Sequence, residues 1–386
     1  MSRSRHPILI LLFISFLRLG VTAFGGPAMV AYIHRMAVEQ KKWLSDESFR
    51  AGVALCQVIP GATAMQMAAY VGLRAHGVTG AVVTYIGFGL PAFLIMIFLS
   101  ALYFQTYNYP IAVSLFSGFG AIIVAIVTNA AISFGRSYLD LWRDLALALL
   151  AASLFILGTS PFLVILLAAS IGIMIYRDRS IPTMPVTPME SPRTAMPLLF
   201  IVSAAAIGFI MLFVLHRGLF DMAALMFRID LFAFGGGFAS LPLMLHEVVY
   251  VKSWMDYQTF MNGIALGQVM PGPIVITAAF VGYMVYGPIG GIVATLGIFL
   301  PSFLLVIGTV PYYDRLSSSP TFNMAVKAIM CSFVGLLASV AFHLASNTSW
   351  DLPHAIIATV ALIALIFKVD ILWVVLAGAI ISILIF

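Results

Sequence analysis

Charge is scarce in this chain. Of 386 residues only 9% are Asp, Glu, Lys or Arg, where soluble domains carry about a quarter, so a soluble globular fold is excluded. The net charge of +5 is scattered over short segments. No Lys/Arg cluster could follow a phosphate backbone, so nucleic acid is not an expected partner. Cysteine is nearly absent. Cys56 and Cys331 stand far apart inside apolar segments, a spacing that builds neither a disulfide framework nor a metal site, and both read as packed thiols. Enzyme motifs are missing as well: no Ser-His-Asp arrangement, HExxH, Walker loop or dinucleotide-binding glycine pattern occurs. Neither catalysis nor a cofactor or metal is expected. Without a nucleotide loop, any pumping must draw on an ion or substrate gradient.

What is present is apolar length. Hydrophobic residues make up 62% of the chain, in runs of about twenty residues that suit membrane-crossing helices. Outer-membrane strands would alternate instead. The predicted class is an all-α polytopic membrane protein. The start of the chain resembles a signal peptide, with Val21-Thr22-Ala23 as its cleavage site. The first segment is nevertheless expected to stay in the fold, because the residues that follow recur internally.

That recurrence organises the chain. Ala23-Phe24-Gly25-Gly26 returns as Ala233-Phe234-Gly235-Gly236. Arg18 and Arg228 precede the two copies, and Trp43 and Trp254 follow them. Gln57-Val58-Ile59-Pro60-Gly61 returns as Gln268-Val269-Met270-Pro271-Gly272, Val71-Gly72 as Val281-Gly282, and Leu90-Pro91 as Leu300-Pro301. The offset is 210 or 211 throughout. The expected domains are a first transmembrane repeat over 1–176, a Pro-rich cytoplasmic linker over 177–197, and a second repeat over 198–386 with one extra leading helix. Arg3, Arg5, Arg177, Arg179 and Arg193 place the N-terminus and linker on the cytoplasmic side. The extra segment, about 197–216, then carries the chain across once more, so the second repeat is expected to be inverted. Lys41-Lys42 and Lys252 stand at matching positions and count against a simple charge rule.

Each repeat holds two breaks in otherwise apolar segments, a diglycine and a Pro-Gly. Interrupted helices survive in a bilayer only where protein or water satisfies their backbone. A helix starting after such a break points free N–H groups and a positive dipole end at the gap, and Pro27 suits a first turn. The expectation is broken or re-entrant helices whose four breaks converge on an anion, with tight packing through small residues as the alternative. The substrate-binding candidates are Arg18, Phe24, Gly25, Gly26, Gln57, Pro60 and Gly61 in the first copy. Their counterparts are Arg228, Phe234, Gly235, Gly236, Gln268, Pro271 and Gly272. Arginine offers a forked pair of donors to an oxyanion; snorkelling of Arg18 and pairing of Arg228 with Asp230 remain open. Asp230 has Gly20 as its counterpart, so any role for it is one-sided. Lys327 either lines the path or sits near a helix end. A kink is expected near Pro91, and Ser45 or Asp46 should cap a helix.

In this order Phe24-Gly25-Gly26-Pro27, Trp43-Leu44-Ser45, Cys56-Gln57-Val58-Ile59-Pro60-Gly61, Gly72-Leu73-Arg74 and Gly77-Val78-Thr79-Gly80 resemble the chromate ion transporter family, and nearly the whole chain resembles its long, two-domain members. The resemblance implies antiparallel homologous halves in a multi-pass protein of the inner (plasma) membrane that expels chromate and confers chromate resistance, driven by the proton motive force. Gly237 in place of Pro27 and Pro273 in place of Ala62 depart from equivalence between the copies. The expected partners are a tetrahedral oxyanion (chromate, with sulfate open), the lipid bilayer and, as an option left open, a second copy in a homodimer. Transport of another oxyanion and a non-transporting membrane scaffold stay as alternatives.

Overall fold

The structure is a computed structural model that describes residues 8–23, 26–107, 109–177, 195–313, 318–348 and 350–386. Helices make up its regular structure, and no strand occurs among the described residues. Helix α1 (Leu9–Thr22) stops at Ala23 in extended backbone. Helix α2 (Gly26–His34) continues as a π-helical turn, Arg35–Gln40. Helix α3 (Asp46–Val58) is capped by Ser45, whose hydroxyl accepts the Ser48 N–H at 3.2 Å. Helix α4 (Thr63–Thr106) is interrupted at His76 and Gly77. The Thr84 hydroxyl donates to the Ala68 carbonyl at 2.7 Å, which folds the two arms of α4 back on each other. Pro91 lies inside the second arm, and the non-helical torsions of α4 fall at His76 and Gly77. The remainder of the first repeat is α5 (Pro110–Tyr138), α6 (Trp142–Ile156) and α7 (Pro161–Ile175).

The second repeat copies this plan. It comprises α9 (Arg217–Leu231), α10 (Gly237–Leu245) with the π turn His246–Val251, and α11 (Tyr257–Val269). Then come α12 (Thr277–Thr309), α13 (Pro320–Asn347), α14 (Leu352–Ile366) and α15 (Ile371–Ile385). The copying reaches unusual torsions. Positive φ recurs at Lys42 (53°) and Ser253 (50°), Gly61 (120°) and Gly272 (122°), Gly77 (68°) and Gly287 (62°), and Gly158 (80°) and Lys368 (64°). A lysine or serine is strained at such φ, so the two chain paths, and not only the two sequences, are duplicates.

Between the repeats stands α8 (Ala195–Leu215), which has no counterpart and no buried residue. The Pro-rich linker expected over 177–197 falls largely on 178–194, outside the described residues. Among the described residues five helical stretches are long and apolar enough to cross a membrane: Thr63–Thr106, Ser114–Tyr138, Ala195–Leu215, Ile274–Tyr312 and Pro320–Ser346. The paired helices α6 and α7, and α14 and α15, have 15 residues each. That is about 22 Å of helix, less than the roughly 30 Å hydrocarbon layer.

The chain divides into two compact units, and each takes segments from both repeats. One comprises Met1–Ile97, Pro182–Ser240 and Pro271–Pro320; the other Phe98–Ile181, Leu241–Met270 and Thr321–Phe386. In the first, α9 packs along α12 and against α8. Phe16 meets Phe88 edge-on at 6.4 Å, and Tyr85 meets Phe303 at 4.9 Å. In the second, α5 is the hub, flanked by α11, α14 and α15. Cys56 and Cys331 are buried and unpaired, as expected.

Candidate functional site

The helix breaks meet inside the first unit. Pro60-Gly61 separates α3 from α4, and the Gly61 N–H donates to the Ala233 carbonyl at 2.9 Å. Pro271-Gly272 ends the approach from α11, and the Gly272 N–H donates to the Ala23 carbonyl at 3.1 Å. The exchange is reciprocal: the Pro-Gly break of each repeat caps the helix end that precedes the diglycine of the other. Reciprocity of this kind is the mark of a two-fold relation, here between two halves of one chain. Glycine is required at both positions. Besides their positive φ, a Cβ on Gly61 would stand 2.0 Å from Ser302 Oγ, and one on Gly272 would stand 2.4 Å from Ala92 Cβ.

The second diglycine links the crossings. Gly235 and Gly236 take φ of 92° and 91°, and α10 begins directly after them at Gly237. A Cβ on Gly236 would lie 3.1 Å from Thr63 Oγ1, and one on Gly237 would lie 2.9 Å from Ile274 and Val275. In the first copy α2 begins at Gly26, while Phe24 and Gly25 lie outside the described residues. Pro60, Gly61, Pro271 and Gly272 are buried, and Phe234 and Gly235 are half-buried.

The polar side chains around the crossings were only partly foreseen. Asp230 is wholly buried on α9. Its Oδ2 accepts the Ser302 N–H at 2.9 Å and the Ser302 hydroxyl at 2.7 Å. Ser302 Oγ in turn accepts the Ala62 N–H at 2.9 Å. Asp230 therefore bonds to Ser302 and makes no ion pair with Arg228. Gln66 Nε2 donates to the Pro60 carbonyl at 2.5 Å. Motif reading passed over Ser302 and Gln66. A position-by-position comparison of the copies would have found them, because at the repeat offsets Asp230, Ser302, Ala62 and Gln66 correspond to Gly20, Ala92, Pro273 and Ile276.

Arg18 and Arg228 lie on exposed faces of α1 and α9. Arg18 lines a cleft of about 650 Å³ together with Tyr32, Arg35, Gln40 and Lys41. Gln57 is exposed. Gln268 is half-buried, and its Nε2 is a buried donor without a partner.

The second unit carries a further pair of equivalent clusters. The Tyr176 hydroxyl donates to Asp144 Oδ1 at 2.5 Å, and Lys327 Nζ lies 3.3 Å from Asp144 Oδ2 and 3.5 Å from Asp140. Lys327 is thus held in an ion pair. At the equivalent positions His354 Nε2 lies 3.2 Å from Ser117 Oγ and stacks on Phe386 at 4.3 Å, and its Nδ1 is 2.6 Å from Asp351. This Asp-His-Ser chain corrects the expectation that no Ser-His-Asp arrangement occurs; its serine and histidine lie 237 positions apart. The same locus in the other repeat is an ion pair, which identifies the position as a tie between helices. The exposed Asp351 carboxyl is held below its usual range by the His354 N–H and then by the His354 ring.

The Chromate transporter family profile matches residues 10–173 and again 220–383. The chain belongs to the chromate transporter family. Three relatives match along most of their length. An uncharacterized transporter of Methanocaldococcus jannaschii is 41% identical over the whole chain and 96% of its own length. A chromate transport protein of Cupriavidus metallidurans is 30% identical over 92% of the chain and 86% of its own length, and one of Pseudomonas aeruginosa 30% over 89% and 82%. No solved structure matches. The double match of the family profile agrees with the duplicated chain path described above.

Proposed function

We propose that the chain exports chromate from the cell across the cytoplasmic membrane and thereby confers chromate resistance. The observation that carries the reading is the reciprocal seating of the breaks, Gly61 on Ala233 and Gly272 on Ala23, in a family whose named relatives include chromate transport proteins. Seating of this kind leaves α2 and α10 starting beside the crossings, where helix N-termini favour a dianion. Phe24, Gly25 and Gly26, with Phe234, Gly235 and Gly236, form the proposed anion cradle, and Pro60-Gly61 and Pro271-Gly272 hold it open. Arg18 and Arg228 supply charge compensation, with Arg18 gathering the anion through the basic cleft it shares with Arg35 and Lys41. Gln57 and the unpartnered Gln268 Nε2 add donors. The single unmatched helix α8 turns the second repeat over, and the two inverted halves provide alternating access. No chemical step is assigned to the chain, in keeping with relatives that are named transporters.

The test is uptake of labelled chromate and of labelled sulfate by everted membrane vesicles. Chromate should accumulate, and Arg18→Gln and Arg228→Gln should each cut uptake by about tenfold or more, the loss expected for a charged hydrogen bond, at unchanged protein level. Preference for sulfate would replace the substrate. No uptake of either anion, with no anion-dependent gain in thermal stability, would leave a membrane scaffold.

A further inference from the structure

We propose that Asp230 is a proton-binding site, neutral while the Pro60-Gly61 break is seated on Ala233 and ionised when that seat opens. Three observations lead there. Asp230 is 0% exposed. Both of its hydrogen bonds fall on Oδ2, from Ser302, while Oδ1 is buried and has no hydrogen-bond partner. No cation lies at ion-pair distance from it among the described residues.

Apart from the two Ser302 donors and the Ala62 N–H beside them, the described surroundings offer no cation to hold a negative charge. Helices α8 and α12, which pack against α9, carry no Asp, Glu, Lys, Arg or His. From α4 Tyr85 is a neutral phenol, and its hydroxyl donates to the Phe299 carbonyl at 2.7 Å. On α9 itself Arg228 is exposed. An ionised carboxylate in such a place keeps a desolvated charge with one oxygen bare, which is unfavourable. A proton on Oδ1 removes the charge and leaves the two Ser302 bonds on Oδ2 intact. Unpaired carboxylates within membrane helices are characteristic of proton relays.

The link to movement runs through Ser302. It joins Asp230 Oδ2 to the Ala62 N–H, and Ala62 adjoins the Gly61 that seats on Ala233. Opening the seat breaks this chain and lets water reach Oδ1. Asp230 then gives its proton to water and keeps the charge as a carboxylate; reclosure takes a proton back. One proton is bound and one released per cycle of the seat. The equivalent path at the other crossing, Gly20, Ala92 and Pro273, has neither a carboxyl, nor a hydroxyl, nor an N–H to donate. The switch is therefore single.

The carboxyl can be read directly by infrared difference spectroscopy on the full chain reconstituted in lipid, without any substrate. At neutral pH the wild type should show a protonated-acid C=O band that Asp230→Asn removes. Ser302→Ala should move that band to higher frequency, because a hydrogen bond to the carboxyl is lost. Should Asp230→Asn fail to reach the membrane, Ser302→Ala keeps the test open, and an unmoved band there overturns the proposal, as does a spectrum in which no band is lost. The transport arm rests on the chromate reading. In vesicles, Asp230→Asn should lose chromate accumulation driven by a pH gradient while exchange of labelled for unlabelled chromate at equal pH continues. Accumulation that follows a pH gradient equally in both proteins, or follows a sodium gradient lost in the variant, overturns the proposal. Failure of wild-type exchange would count against the chromate reading and leave the infrared result standing.

Discussion

The two crossings of this molecule share a backbone and differ in chemistry. At both, a Pro-Gly amide with φ near 120° donates to the alanine that ends a helix of the other repeat. Around Gly61 the surroundings are polar: a buried carboxyl group, a serine that links it to a backbone N–H, and a glutamine on the Pro60 carbonyl. Around Gly272 they are Gly20, Ala92 and Pro273. Duplication preserved the path of the chain because glycine torsions and close contacts admit few substitutes. It left side chains free to diverge, and they diverged together: removing the carboxyl, the hydroxyl and the N–H in one half leaves no orphaned group behind. The ties in the second unit diverged the same way, with Lys327, Asp144 and Tyr176 answering to Ser117, His354 and Phe386. A duplicated pair can thus share a backbone and differ in the polar groups around it.

The largest effect should come from filling a crossing. Gly61→Ala and Gly272→Ala each force a side chain into positive φ and into a contact of 2.0 or 2.4 Å, a loss of about 3 kcal/mol or more. The crossings then part company. Ala92→Gly should recover the steric share of Gly272→Ala. No similar rescue exists for Gly61→Ala, because removing the Ser302 side chain also strips Asp230 and the Ala62 N–H of partners. Thermal unfolding followed by size-exclusion fluorescence reads both, and equal rescue on the two sides would break the comparison.

A smaller difference is expected from exchanging the central residue. Ser302→Ala should cost about 2 kcal/mol through the groups it leaves unpaired. The mirror change Ala92→Ser should cost less than about 1 kcal/mol, since a helical serine can donate to the carbonyl four residues back. The same melting curves decide this, and similar losses would mean that Ser302 acts by shape alone.

The smallest effect concerns Asp351, whose counterpart is Leu141. Its carboxyl is lowered by the His354 N–H first and the His354 ring second. A depressed carboxyl stabilises above its unfolded pKa, about 3.9, and loses that contribution as pH falls through the lower folded value. Asp351→Asn should therefore melt slightly earlier than wild type at neutral pH, with the gap closing only below about pH 4. A gap independent of pH would remove charge from the account.

Much of the fold was legible. Scarcity of charge dictated a membrane protein, and the offset of 210 to 211 announced the duplication that the family profile matches twice. Ser45 was readable as a cap because its pattern is local. Pro91 was readable as a proline within a long span, and it stands inside the helix. The candidate site was half legible: glycine and proline announce breaks by their own torsional limits, whereas Ser302 and Gln66 look like ordinary residues of an apolar helix. Their importance lies in what they touch, and Ala62 touches Ser302 across 240 positions.

The sequence by itself determined that this chain is a duplicated, apolar, helix-broken membrane protein, because composition and torsional preference are properties of residues taken one at a time or at fixed spacing. The tertiary structure decided which break seats on which helix end, that Asp230 faces Ser302 and not Arg228, and that one crossing holds a buried acid while its twin holds none. Those are matters of distance between groups far apart in the chain, and only packing sets them.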